Sequence, residues 1–159
     1  MILDDKLVSY VLYKKRTINE VREKCKKLGF TEEYIDEIIE YLVENGYLDD
    51  EKYVMKYILE IIKLKKKSRQ EIKMDLIRRG IEEQLIEKYL TEELRIFEIN
   101  CAKELAIKKY KSCKDILKVK KYLMSKGYSR EAINNAVDSL NEISNNDIEM
   151  YWWILNSIK

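Results

Sequence analysis

The tetrapeptide Leu28-Gly29-Phe30-Thr31 decides the fold, because the chain writes the same pattern twice more. The other two copies are Arg79-Gly80-Ile81-Glu82 and Lys126-Gly127-Tyr128-Ser129. Helices commonly end in the left-handed conformation just past their last turn, and glycine adopts it without a Cβ penalty. Three of the four glycines lie in this context, at positions 29, 80 and 127. We therefore predict an internal repeat in which each of these glycines ends a helix.

The residues around the three glycines keep the same distances from them. Positions eight and four before each glycine, and six after it, are apolar, as one face of a helix requires. These positions are Val21, Cys25, Ile35, Ile72, Leu76, Ile86, Val119, Leu123 and Ile133. Twelve residues before the glycines stand Thr17, Ser68 and Asp115, which are favourable N-cap residues. Glu20 and Glu71 follow the first two by three residues, which predicts capping boxes.

The repeat predicts an all-α protein of three tandem three-helix repeats, over residues 1–48, 49–95 and 96–141. The expected helices span 5–16, 18–28, 32–45, 51–65, 69–79, 83–94, 96–110, 116–126 and 130–140. The first of these should turn Leu7, Val8, Val11 and Leu12 inward.

Two further segments carry predictions of their own. Gly46 is expected to end the third helix, and Asp49 or Asp50 to cap the fourth. Residues 142–159 read as a linker and an apolar tail that includes Trp152 and Trp153. This tail is expected either to form a tenth helix that packs on the repeats or to bind a partner.

Composition excludes most enzymatic chemistry. The 159 residues contain no histidine, which removes the commonest general base and metal ligand at neutral pH. Neither a phosphate-binding glycine loop nor metal-ligand spacing is present, so we predict no catalytic residue, no metal and no cofactor. No apolar run approaches the roughly 20 residues of a membrane span, and no signal peptide opens the chain. Three cysteines without metal spacing favour a reduced, cytoplasmic setting.

Charge is segregated along the chain, although the net charge is only +2. Residues 14–27 sum to +5, 63–79 to +6 and 103–121 to +6, whereas 31–51 sum to −9. The basic stretches either pair with acidic helices inside the molecule or form a surface for phosphates or an acidic protein. On the second interpretation, the candidate contact residues are Lys63, Lys65, Lys66, Lys67, Arg69, Arg78, Arg79, Lys108 and Lys109. Acidic residues open the helices after Gly29 and Gly80, which disfavours a DNA-reading helix-turn-helix.

Three ordered motifs resemble the RecX family of recombination regulators. They are LVENGYLDDEKY at 42–53, IKMDLIRRGI at 72–81 and KYLMSKGYS at 121–129, and the resemblance covers roughly residues 7–140. Two departures are Lys66-Lys67-Ser68-Arg69, where the family commonly has a glycine-proline pair, and Asp75, where glutamate is usual.

The resemblance implies a curved, elongated, monomeric array that lies in the groove of a RecA–single-stranded-DNA filament. It implies inhibition of strand exchange, of ATP turnover and of filament-assisted cleavage of the LexA repressor. Weak DNA binding would accompany this activity. Two alternatives stay open: a direct nucleic-acid-binding module that uses the basic clusters, and a plain helical adaptor.

Overall fold

The computed structural model describes residues 3–64 and 67–142, without the side chains of residues 63 and 64. Within these residues the chain is all-α, as predicted, and its helices follow one another in three groups of three. They are α1 (Asp5–Tyr13), α2 (Ile18–Lys27), α3 (Glu32–Glu44), α4 (Asp50–Leu64), α5 (Arg69–Arg78), α6 (Glu83–Tyr89), α7 (Glu92–Cys113), α8 (Ile116–Ser125) and α9 (Arg130–Glu142).

The predicted caps begin and end the helices. The Thr17 hydroxyl accepts the Glu20 amide while the Glu20 carboxylate accepts the Thr17 amide, which is a capping box at the start of α2. Ser68 and Glu71 exchange the same two hydrogen bonds at the start of α5, at 3.1 and 3.0 Å. All four glycines adopt the left-handed conformation, with φ between +71° and +83°. The predictions that a glycine ends each of these helices and that a hydroxyl residue caps the start of α2 and α5 are therefore both confirmed.

The chain divides into two compact units, each with its own core. The described residues of the first fall within Met1–Lys63 and Lys73–Tyr89, and those of the second within Leu64–Ile72 and Leu90–Lys159. The nine apolar positions predicted from the repeat are all buried. In the first unit the core cluster is Leu7, Val21, Cys25, Ile35, Ile38, Ile39, Leu42 and Leu48. In the second unit Val119, Leu123 and Ile133 pack with the small residues Ala102, Ala106, Ala132 and Ala136.

Two predicted details are wrong. The predicted helices 83–94 and 96–110 meet at a different place, because α6 ends at Tyr89 and α7 already begins at Glu92. The break falls at Thr91, whose extended backbone (φ −72°, ψ 176°) interrupts the helix without a glycine or proline to announce it. Leu12 is 64% exposed rather than inward, because α1 buries Leu7 on its opposite side.

The prediction for the apolar tail lies outside the described residues, since it falls on 143–159. Within the described ranges, the helices are too short or too polar to cross a lipid bilayer.

Candidate functional site

The first compact unit contains a joint between the first and second repeats. The Thr17 hydroxyl accepts the Glu20 amide and donates its own proton to the Arg79 carbonyl at 2.6 Å. Beside it, the Ile18 amide donates to the Asp50 carboxylate at 2.9 Å. One hydroxyl thus caps its own helix and binds the end of α5, while a carboxylate of α4 satisfies a second helix-start amide.

The second compact unit repeats this joint between the second and third repeats. The Ser68 hydroxyl donates to the Lys126 carbonyl at 2.8 Å, and the Arg69 amide donates to the Glu98 carboxylate at 2.9 Å. Glu98 is only 1% exposed, and its other oxygen accepts the Ser129 hydroxyl at 2.7 Å. Both oxygens of this buried charge therefore have donors, which burial of a carboxylate requires.

Two of the repeat glycines lie against these joints. A Cβ added to Gly80 would come inside van der Waals distance of Asn19, and one added to Gly127 would meet Gln70 at 3.2 Å. At Gly29, by contrast, nothing lies within 4 Å of the added atom. Glycine is thus needed at position 80 for close approach as well as for φ, whereas at position 127 the approach is only tight.

The joint gives the paired aspartates of the 42–53 motif two different roles. Asp49 caps its own helix by accepting the Lys52 amide at 2.9 Å, and this hydrogen bond is the main cause of its lowered pKa. Asp50 instead reaches across to Ile18. Burial raises the pKa of Asp50, and neighbouring carboxylates including Asp49 and Glu20 add to that rise.

Two of the predicted contact residues lie inside the joints. The Arg79 guanidinium contacts Glu20 at 3.3 Å and lies 5.7 and 5.6 Å from the ring centroids of Tyr53 and Tyr57. Arg69 donates a guanidinium hydrogen bond to the Leu90 carbonyl at 3.0 Å. Both side chains therefore contribute to packing between helices.

The other described contact residues do not share one element: Lys67 precedes α5, Arg78 lies on α5, and Lys108 and Lys109 lie on α7. The Arg78 side chain is 71% exposed and forms an ion pair with Asp75 one turn back at 3.2 Å. Lys67 is half-buried and Lys108 exposed, whereas Lys109 lies over the Tyr122 ring at 5.4 Å. The remaining three, Lys63, Lys65 and Lys66, have side chains outside the described part of the chain.

Several basic side chains of the first two basic stretches form ion pairs with acidic residues inside the molecule. In the first, Arg22 contacts Asp36 at 2.7 Å and Lys26 contacts Glu32 at 3.1 Å. In the second, Lys73 lies 2.6 Å from both Glu83 and Glu87, and these hydrogen bonds raise the pKa of Lys73. The first interpretation of the charge segregation thus applies in part, since acidic helices do pair with basic ones.

The third basic stretch also contains lysines that are open to solvent. Lys108 and Lys121 are exposed and form no ion pair with any described residue. Lys118 reaches only Asp115, at 3.9 Å, which is the outer limit of an ion pair. Lys108 of α7 and Lys121 of α8 are therefore available to a partner.

The joint itself was not predicted from the sequence. Thr17 and Ser68 were expected as caps only, and Glu98 was not singled out. A weak signal existed, because Asp50 precedes Gly80 by 30 residues and Glu98 precedes Gly127 by 29. The chain contains 29 acidic residues, so one acidic residue at a similar spacing before two glycines is not a distinctive signal.

Fold and joints together define a class: a helical tandem-repeat protein whose consecutive three-helix repeats are connected through their helix caps. A family model described as RecX, second three-helix domain, matches residues 49–90. The regulatory protein RecX of Staphylococcus carnosus is 36% identical over 138 residues, which cover 84% of this chain and 52% of that protein. The regulatory protein RecX of Clostridium perfringens strain 13 is 35% identical over 137 residues, covering 79% and 62%.

Solved structures agree with these sequence matches. The crystal structure of RecX from Lactobacillus salivarius superposes with a TM-score of 0.80 at 27% identity, covering 87% of this chain and 94% of that one. The chain belongs to the RecX family. It spans between half and two thirds of the length of the two curated relatives named above.

Proposed function

We propose that the protein binds the RecA–single-stranded-DNA filament and inhibits RecA without catalysing a reaction of its own. The inhibited activities are strand exchange, ATP turnover and filament-assisted cleavage of the LexA repressor, in the cytoplasm. Family membership carries this proposal, since the match to a protein named regulatory protein RecX extends over 84% of this chain.

The repeat architecture supports such a partner. Each repeat connects to the next through a hydroxyl at a helix start and a carbonyl at a helix end. Tandem three-helix repeats offer several contact sites along one chain, which suits a partner that is itself a polymer.

Arg78 is the best-presented of the contact residues predicted on α5. Its ion pair with Asp75 is on the same helix and exposed to solvent, and such pairs contribute only about 0–1 kcal/mol. A carboxylate or phosphate of a partner can therefore replace Asp75 at little cost. Arg79, which is held between Glu20 and two tyrosines, is less available.

The test is RecA ATP hydrolysis on single-stranded DNA with the protein added below the RecA concentration. Inhibition at substoichiometric amounts is expected, because a protein bound at a growing end affects many RecA protomers. An unchanged ATPase rate at equimolar protein would overturn the proposal. Co-sedimentation with assembled filaments, free RecA and bare DNA distinguishes filament binding from an adaptor that binds none of them.

A matched pair of charge reversals tests the surface separately. Arg78→Glu should weaken inhibition, whereas Lys6→Glu on the exposed side of α1 should not. Equal inhibition by both variants would leave RecA regulation intact and remove Arg78 from the contact surface.

A further inference from the structure

An apolar groove lies between α1 and the end of α3 in the first compact unit. Val8, Val11 and Leu12 of α1 line one side, and Tyr41, Leu42 and Tyr47 line the other. We call this surface the α1–α3 groove. Its cavity of about 110 Å³ is smaller than the roughly 150 Å³ that holds benzene, and far below the roughly 300–1,000 Å³ of small-molecule sites. The groove therefore suits one large apolar side chain of a protein, not a cofactor.

The turn after α3 places a tyrosine at this groove. Gly46 has φ +71°, the Tyr47 amide donates to the Leu42 carbonyl at 2.9 Å, and Leu48 enters the core. Tyr47 is left 48% exposed, and Leu12 on the other side of the groove is 64% exposed. The joints between the repeats use neither residue. Exposed apolar side chains grouped around a cavity indicate a contact surface.

Glutamates flank the groove on its α3 side. Glu37 and Glu44 lie four residues before and three after Tyr41, so they are its neighbours on the helix surface. Glu33 and Glu40 continue the same row, which extends about 16 Å along α3. All four glutamates are exposed. We call Glu33, Glu37, Glu40 and Glu44 the acidic row.

The acidic row is not neutralised by the part of the chain that the structure describes. The ion pairs of α3 there come from Glu32 and Asp36, which contact Lys26 and Arg22 at 3.1 and 2.7 Å. None of the four glutamates of the acidic row forms an ion pair with a described residue. Their charge is therefore available to cations of a partner.

We infer that the α1–α3 groove binds a basic amphipathic helix of another protein. The apolar face of this helix fills the groove, and its lysines or arginines lie against the acidic row. Lys14 and Lys15, exposed after the end of α1, repel cations on the other side and so set this direction. The occupant is a helix because α1 and α3 use their backbone hydrogen bonds internally, so the occupant must satisfy its own backbone groups. About three helical turns match the length of the acidic row.

The apolar tail of the chain itself is a poorer occupant. Residues 142–159 contain Glu142, Asp147 and Glu149 against one lysine, Lys159, so their charge does not complement the acidic row. Binding of a basic helix goes beyond RecA inhibition and does not depend on it.

The test is fluorescence anisotropy of the full chain with a labelled peptide of about 15 residues, the length at which isolated helices begin to form. Leucines recur in this peptide at helical spacing and lysines fill the other positions, whereas a second peptide has glutamate in place of every lysine. The lysine peptide should bind roughly tenfold more tightly at low salt than the glutamate peptide.

Charge-removing variants locate the binding. Replacing both Glu37 and Glu44 by glutamine should weaken binding of the lysine peptide by roughly threefold to tenfold, since exposed ion pairs are individually weak. The control removes the same number of exposed charges from α9 by Asp138→Asn together with Glu142→Gln, and should weaken binding less.

A pair of leucine variants tests the apolar part of the groove. Leu12→Asn should weaken binding of the lysine peptide, whereas Leu117→Asn, at a leucine that is 69% exposed on α8, should not. Both side chains are exposed, so both variants should unfold close to the wild-type temperature.

Four outcomes would overturn the assignment. Two of them are equal binding of the lysine and glutamate peptides, and equal losses from the groove variants and their controls. Tighter binding of a peptide of residues 143–159 would assign the groove to the chain's own tail. Self-association of the chain that Leu12→Asn abolishes would assign it to a second copy. None of these measurements contains RecA, so their failure would leave the regulation of RecA untouched.

Discussion

Gly80→Ala is expected to destabilise the protein more than Gly29→Ala, although both glycines end equivalent helices. Both adopt positive φ, so both replacements cost roughly 1–2 kcal/mol for the left-handed conformation. At Gly29 the new Cβ would meet nothing within 4 Å. At Gly80 it would overlap the Cβ of Asn19, which is bonded directly to the α2 backbone and cannot rotate away. Overpacking of this kind typically adds roughly 1–3 kcal/mol.

The assay is urea denaturation followed by circular dichroism. Gly127→Ala should fall between the other two, because its new Cβ would lie 3.2 Å from Gln70 side-chain atoms, a contact that a small shift can relieve. Combining Gly80→Ala with Asn19→Gly should recover part of the loss, even though glycine within a helix costs about 1 kcal/mol. Equal destabilisation by Gly80→Ala and Gly29→Ala, or the absence of coupling between positions 19 and 80, would refute the close-approach explanation.

Two further predictions concern charged groups at the first joint. Because burial raises the pKa of Asp50 above its unfolded value, the folded protein is favoured as pH falls through that pKa and loses this contribution as pH rises. Asp50→Asn keeps an oxygen acceptor for the Ile18 amide, so it should raise the urea midpoint at neutral pH, with the gain shrinking towards about pH 4. Arg79→Glu should lower the urea midpoint clearly, since it places a second carboxylate beside Glu20, whereas Arg78→Glu should stay within about 0.5 kcal/mol.

Much of the fold could be predicted because its signals are local. A glycine with positive φ, a hydroxyl before a helix and apolar residues four apart each act within one or two turns. Because these local signals recur around Gly29, Gly80 and Gly127, the repeat can be predicted without knowing which helices pack against each other. The break between α6 and α7 escaped prediction because Thr91 interrupts the helix through its backbone alone, without a side-chain cap.

For the candidate site, the sequence predicts which basic residues take part but not how they are arranged. The sequence shows that Arg69, Arg78 and Arg79 are close together in a basic stretch, but not which neighbours each one meets. Arg79 lies over tyrosines of α4 and Arg69 against the Leu90 carbonyl, through contacts between residues 21 or more positions apart.

The Thr17 and Ser68 hydroxyls each accept a hydrogen bond within their own helix and donate one to the next repeat. This pair of roles determines what an additional repeat would need. A residue that caps its own helix needs only an acceptor, but one that also holds the following repeat needs a proton to donate to a carbonyl. Asp115 caps α8 through its carboxylate, which has no proton to donate when ionised. Grafting a fourth three-helix repeat behind α9 would therefore require Asp115→Ser together with a carboxylate in the new first helix.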